Sequence, residues 1–407
     1  MRPAPRARFK GWQFPDATQE LLLQAALQDP EAGHRALELW RRKIDGRRLD
    51  AGVHRLLPLV YRNLASHWRE DPFLASLQAV YRKTWSQNRI RLRTLRDLLI
   101  RFQGEGIDPM VLKGGALMVL AYRDFGVRPM TDLDLLVKPE AARRTVQCLH
   151  AWGWKSSLNH PELLMDIRHG DEFVAADGQR VDVHWNVLQE CCGPGSNDDF
   201  WRQAIPCEIG DIACKSLCAA DQLLHVFVHG ARWSLVQPVS WVADATALIR
   251  AAGASIDWDH FVQQVRSRRL VAPVTQALEY LSARRWAEIP LRPLDALRQE
   301  PVPFRERLEH RIKIRPRPLV GTLPVLGFDY LRLTEGHPPL KRLFGFRRYL
   351  QLTFDCGSSA ELVFSTARLV VARCRAYLGM RFGGSMPPPR LRHAARGGQA
   401  ESAGESD

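Results

Sequence analysis

Two aspartates separated by one leucine, Asp132 and Asp134 in DLDLLV, are followed further along by Asp182 in VDVHW. Residues at alternate positions of an extended segment share one face, so the two carboxylates stand together and Leu133 turns to the other side. Carboxylates side by side on a buried strand repel each other and lose solvation, and a hard cation such as Mg²⁺ relieves both costs. Asp182 and His184 likewise share a face, set between Val181, Val183 and Trp185. A third carboxylate on a neighbouring strand completes the ligand set of a two-metal phosphoryl or nucleotidyl transfer site. One cation there holds the triphosphate and leaving group, and the other lowers the pKa of the attacking hydroxyl.

Upstream, VLKGGAL joins a short apolar segment to a helix through Gly114-Gly115. Backbone N–H groups at such a helix start can approach a phosphate without side-chain obstruction. An isolated Asp-x-Asp pair often only ends a strand at the solvent edge; the joined constellation carries the inference. Simpler roles compete at single positions. Lys113 reads equally as a surface lysine at a strand end, Arg128 as one half of a structural salt bridge with an aspartate, and Trp185 as core. His225 and His229 have the spacing of metal ligands on a helix, but Val226 stands where a zinc-protease helix carries Glu, so they read as core histidines.

The elements that must position these residues follow from periodicity. Residues 17–103 read as helices, the clearest running from Ser76 to Phe102. Leu77, Tyr81, Trp85, Leu92, Leu95, Leu99 and Phe102 recur there at spacings of three and four, with Asn88 as the polar member of the stripe. The pattern stops at Gly104-Glu105-Gly106. Ile107–Leu112 reads as a strand with Pro109 at its start or on an edge, Leu133–Val137 as a second strand, and Pro139 opens a helix to about Trp152. Segments 172–175 and 180–185 flank Asp177-Gly178, a hairpin signal, which makes the sheet mixed. Helical periodicity returns over 201–300, and Glu361–Met380 reads as one more helix.

The chain of 407 residues is 45% hydrophobic and 25% charged, which excludes disordered, collagen-like and mini-protein classes. Its net charge of +14 favours polyanionic partners. Residues 301–350 hold eleven Lys+Arg against four Asp+Glu, half of that excess, and mark a possible anionic partner. The eight cysteines show no CxxC pair, no run approaches 18 apolar residues, and the N-terminus lacks an apolar stretch, so a reduced, cytoplasmic protein is expected. From Gly383 onward the composition is low-complexity and reads as disordered.

Gly114-Gly115, Asp132-x-Asp134 and the later Asp182 resemble the signature of the DNA polymerase β-like nucleotidyltransferase superfamily. LKGGAL, Tyr122, GVRPMTDLDLLV and VDVHW are most similar to the bacterial group of uncharacterised nucleotidyltransferase family proteins. Sixteen residues separate Gly115 from Asp132, and Gly115 replaces the more usual Ser. Both features, with Arg128 four residues before the first Asp, resemble the aminoglycoside nucleotidyltransferase-like branch. The resemblance spans roughly residues 20–290.

It implies an α+β fold, a small mixed β-sheet nucleotidyltransferase core embedded in predominantly helical N- and C-terminal segments. The expected division is an N-terminal helical region (1–103), a catalytic core (104–200), a helical domain (201–300), a basic C-terminal region (301–383) and a disordered tail (384–407). It further implies a Mg²⁺-dependent enzyme moving an NMP from an NTP to an acceptor hydroxyl on a small molecule or peptide. Asp132 and Asp134 would bind metal, and Asp182 would bridge the metal or act as base. Gly114 and Gly115 would hold phosphates through their N–H groups, and Arg128 and Lys113 would neutralise triphosphate charge. His184 would orient Asp182 or touch the acceptor, while His229, Trp241 and Asp244 would lie on the nucleotide or acceptor side. The alternatives are a non-catalytic nucleotide-binding accessory protein of a biosynthetic cluster and a basic nucleic-acid-binding helical protein.

Overall fold

The computed structural model describes residues 9, 11–44, 51–158, 161–232, 239–315 and 322–381. The tail 384–407 lies outside them. Seven strands form one mixed sheet: β1 (Met110–Val111), β2 (Leu133–Leu136), β3 (Lys155–Ser156), β4 (Gly170–Val174), β5 (Arg180–His184), β6 (Ile205–Ile209) and β7 (Ile212–Ser216). Their order is β3-β4-β5-β2-β1-β7-β6. β2 runs parallel to β5 and β1 parallel to β7, and every other pair is antiparallel. The architecture is α+β, with helices on both sides of the sheet in sequence and in space.

Pro109 sits just before β1, a central strand, so its missing N–H costs no ladder bond. The Asp177-Gly178 turn joins β4 to β5, and Gly178 adopts the φ of 84° that the reversal requires. Helical periodicity does not hold throughout 201–300, because β6 and β7 extend the sheet to Ser216. The period-two pattern is present there: Cys207, Ile209, Cys214 and Ser216 are buried, while Pro206, Glu208, Ala213 and Lys215 are exposed. Small and polar residues on the outer face of this edge hairpin mask its strand character.

A helix of 33 residues, Pro72–Gly104, backs the sheet. Asp71 caps its start by accepting from Phe73 N at 2.8 Å. Its end is closed by Gly106 at φ 70° and by Ile107 N donating to Phe102 O at 2.8 Å. Leu95, Leu98, Leu99 and Phe102 from this helix pack with Leu133, Leu135, Val181 and Val183 from the sheet and with Val146 and Leu149 from helix Ala142–Ala151. Trp85, expected in the apolar stripe, is 44% exposed and lies beneath the Arg89 guanidinium. On this helix the buried face runs through Thr84 and Asn88, which leaves position 85 turned outward.

The opposite face of the sheet meets a second core. Met110, Leu112 and Leu136 join Leu223, Leu224 and Phe227 of helix Ala219–Gly230, Val242 of helix Ser240–Ala252, and Leu278 and Leu281 of helix Val271–Arg284. Strand alternation turns Asp134, Asp182 and His184 toward this helical side. Beyond it, helices Phe304–Lys313, Leu323–Leu333, Pro339–Thr353 and Ser359–Arg381 complete the described chain. Among the described residues, no helix is long and apolar enough to cross a membrane.

Candidate active site

Register places the carboxylates. Asp134 on β2 pairs directly with Asp182 on the parallel strand β5, and Leu136 pairs with His184. His184 Nε2 lies 3.2 Å from both Asp134 Oδ1 and Asp182 Oδ2. These three side chains bring their ligand atoms within 4.8 Å of one another. Asp132 stands one residue before β2 begins, half-buried, its Oδ1 accepting from Thr131 Oγ1 at 3.1 Å. The expected trio of aspartates therefore resolves into a tight Asp134–Asp182–His184 cluster with Asp132 at its margin.

Lys113 is not a surface lysine. Its Nζ lies 2.6 Å from Asp134 Oδ1, 3.5 Å from Asp182 Oδ2 and 3.4 Å from His184 Nε2. Burial raises the Asp134 carboxyl, but the Lys113 ammonium and His184 more than offset it and hold the group at about 2. Asp182 is likewise held below the ordinary range, burial being outweighed by His184 and Lys113, which makes it a weak proton acceptor. Asp132 is pushed up, first by burial and then by Asp134. The His184 imidazole is lowered by burial but raised on balance by Asp182 and Asp134. The donor set is rich in carboxylate oxygen, which suits a hard cation, and the ammonium already held there shows that the cluster accommodates positive charge.

Gly114 and Gly115 begin helix Lys113–Leu117, which continues as a π-helical turn through Tyr122. A Cβ on Gly114 would lie 2.7 Å from Arg128 Nη1 and 2.9 Å from Met130 Cγ; one on Gly115 would lie 2.9 Å from Val111 Cγ1. Both glycines thus permit close packing against the protein itself. Arg128 is engaged, contrary to the expectation of a cation free for phosphate: its Nε and Nη2 donate to Asp244 at 2.7 and 3.0 Å. Tyr122 Oη donates to the same carboxylate at 2.8 Å. Asp244 is thereby a partner of Arg128 and Tyr122. Trp241, also expected near substrate, is buried, donates to Gln13 O and packs on Gly230.

The loop carrying Arg128 is clamped from the long helix. Asn88, fully buried, donates to Phe125 O at 2.7 Å and Arg128 O at 2.9 Å and accepts from Met130 N at 3.2 Å. One turn on, Arg91 is half-buried near Asp132; burial lowers its guanidinium and Asp132 raises it. Sequence reasoning passed over Arg91, which looks like one more arginine on an exposed helix face.

A cavity of about 120 Å³ opens beside the cluster, lined by Lys113, Asp182, His184, His169, His225, His229 and Arg232 among others. His225 is buried and driven well below its ordinary range by burial and then by Lys113. His229 sits at the exposed edge. His225, expected in the core, and His229, expected in the core or on the nucleotide or acceptor side, both line the cavity. His169 has no motif of its own and reaches the site because Gly170 pairs with His184 across the β4–β5 ladder. Arg232 donates to Glu190, which also faces Lys313 at 3.7 Å.

Among curated proteins none matches the sequence. Residues 51–285, more than half the chain and the whole of the sheet with its flanking helices, match the family described as uncharacterised nucleotidyltransferase, and the chain belongs to that nucleotidyltransferase family.

Proposed function

We propose that the chain is a Mg²⁺-dependent enzyme that transfers a nucleoside monophosphate from an NTP to a hydroxyl of a small molecule or peptide. The observation that carries this reading is the direct pairing of Asp134 with Asp182 beside a polar cavity, in a chain of the nucleotidyltransferase family. Asp134, Asp182 and Asp132 would hold Mg²⁺, which when bound supplies charge neutralisation for the triphosphate. The acceptor oxygen bonds to the α-phosphorus, the bond from that phosphorus to the bridging oxygen breaks, and pyrophosphate leaves with the electron pair. The hydroxyl proton passes to Asp132, the aspartate of the site that burial pushes up.

The first N–H groups of helix Lys113–Leu117 supply backbone donors for phosphate oxygens. Since Asp244 occupies Arg128, we assign the outer phosphates to Arg91, a half-buried guanidinium that feels the charge of Asp132. The cavity lies on the Asp182 side and suits the reacting end of the acceptor. At about 120 Å³ it admits a hydroxyl and a few neighbouring atoms, leaving the rest of the acceptor outside.

The test compares wild type with an Asp134→Asn/Asp182→Asn variant in extracts of small molecules and peptides supplied with α-labelled NTP. Mg²⁺-dependent label should appear in a product with wild type and be lost with the variant. Equal labelling by both proteins, or labelling indifferent to Mg²⁺, overturns the assignment.

A further inference from the structure

We propose that Lys113 is a built-in cation of the active site, standing in for one of the two metal ions, so that the site takes a single divalent ion. This rests on the reading of the chain as a Mg²⁺-dependent nucleotidyltransferase. The ammonium lies between the two paired carboxylates, 2.6 Å from Asp134 Oδ1 and 3.5 Å from Asp182 Oδ2. That is the location of an ion bridging the two aspartates. A divalent ion on those oxygens sits about 2.1 Å from each, and a second about 3.5–4 Å from the first. An ammonium within hydrogen-bonding reach of both carboxylates repels an ion bridging those two oxygens, so the single ion would be held by Asp132 with the carboxylate oxygens of Asp134 and Asp182 that Lys113 does not contact.

The charge count agrees. Asp132, Asp134 and Asp182 contribute three negative charges and Lys113 one positive, a balance that a single divalent ion neutralises. That balance holds before the triphosphate enters, beside a carboxylate, Asp134, that is only 3% exposed. The backbone also aims this side chain. Lys113 holds φ at 42°, a left-handed conformation that is strained for a non-glycine residue and persists when the surroundings enforce it. Gly114 and Gly115 follow immediately and pack against Arg128, Met130 and Val111, which fixes the helix start from which the lysine projects.

The experiment counts Mn²⁺ ions bound to the full chain by titration followed with electron paramagnetic resonance, in the presence of a non-hydrolysable α,β-methylene NTP. Wild type should bind one ion in the ternary complex with no Mn–Mn coupling. Lys113→Met should bind two coupled ions. Two ions on wild type, or one on Lys113→Met, overturns the assignment of Lys113 and leaves the nucleotidyltransferase reading intact. No Mn²⁺ on wild type, matching an Asp134→Asn/Asp182→Asn control, overturns both. Should Lys113→Met fold poorly, its thermal midpoint gives an independent reading. Mn²⁺ should raise that midpoint more than it raises wild type, because the ion replaces the lost ammonium; an equal rise counts against the proposal.

Discussion

Replacing Asn88 by Ala tests whether the long helix positions the loop that leads to Asp132. The Asn88 amide makes three hydrogen bonds to the backbone of 125–130, two as donor and one as acceptor. A typical bond contributes about 0.5–1.5 kcal/mol net, and a buried backbone group left without a partner costs about 1–3 kcal/mol. The Met130 N–H bond is fully buried and the other two partly so, giving a loss of about 3 kcal/mol in all. Urea unfolding should show that loss as a lower midpoint at unchanged slope.

Nucleotide affinity should fall as well, because Arg128 and Met130 both rest against Gly114 through this loop. Asn88→Asp sharpens the test. It keeps an acceptor for Met130 N but sets carboxylate oxygen against the Phe125 and Arg128 carbonyls, so it should be less stable than Asn88→Ala at pH 7.5. A cost below about 1 kcal/mol for Asn88→Ala, with NTP affinity unchanged, refutes the clamp.

Three further outcomes are expected. Gly114→Ala should displace Arg128 from Asp244, which lowers thermal stability and weakens NTP binding together; the double variant with Arg128→Ala should recover part of the stability, since the new methyl meets Arg128 first. Arg91→Gln should reduce the preference of the site for NTP over NDP, measured by calorimetry with Mg²⁺, and an unaltered ratio removes Arg91 from the phosphate site. Buried His310, lowered to about 4 by burial, stays neutral in the fold while the unfolded chain takes up a proton below its ordinary 6.5. Stability is therefore lost as pH falls from 6.5 toward 4, by about 1 kcal/mol at pH 5.5 from this residue, and His310→Asn should remove that share from the urea profile.

The paired aspartates were legible because a strand's period of two is short enough to read within five residues, and Leu133, Val181 and Val183 alternate without exception. The Asp177-Gly178 hairpin was legible for the same local reason. Contacts set by long-range packing were not. Arg128 and Asp244 are 116 positions apart, and nothing at either position announces the other. Lys113 looks like a strand-end lysine until its positive φ turns it inward, a backbone choice that sequence does not encode for a non-glycine residue. His169 reaches the cavity solely through strand pairing with His184's neighbourhood, and Asn88 showed itself as an anomaly in an apolar stripe without revealing which loop it holds.

The basic segment 301–350 shows why net charge alone misleads. Lys313 is committed to Glu309 at 2.8 Å, Asp329 at 2.8 Å and Glu190 at 3.7 Å. Arg332 donates to Glu309 at 2.7 Å and to the carbonyls of Arg268 and Arg269 at 2.9 and 3.0 Å. Glu190 in turn holds Arg232, a wall of the cavity beside Asp182 and His184. Burial raises Glu190 and these cations lower it more, so it stays ionised inside the protein. Breaking such a pair by removing one partner strands the other charge, at about 3–5 kcal/mol. Part of the positive excess is therefore internal counter-charge, spent on joining the last helices to residues 51–285. Among the described residues of this segment, Arg307, Arg311 and Arg315 are exposed, as are Arg347 and Arg348 on helix Pro339–Thr353, which follow exposed Leu343 and Phe344. The segment is thus two things at once: a structural prop that reaches the cavity through Glu190, and an outward surface of exposed arginines.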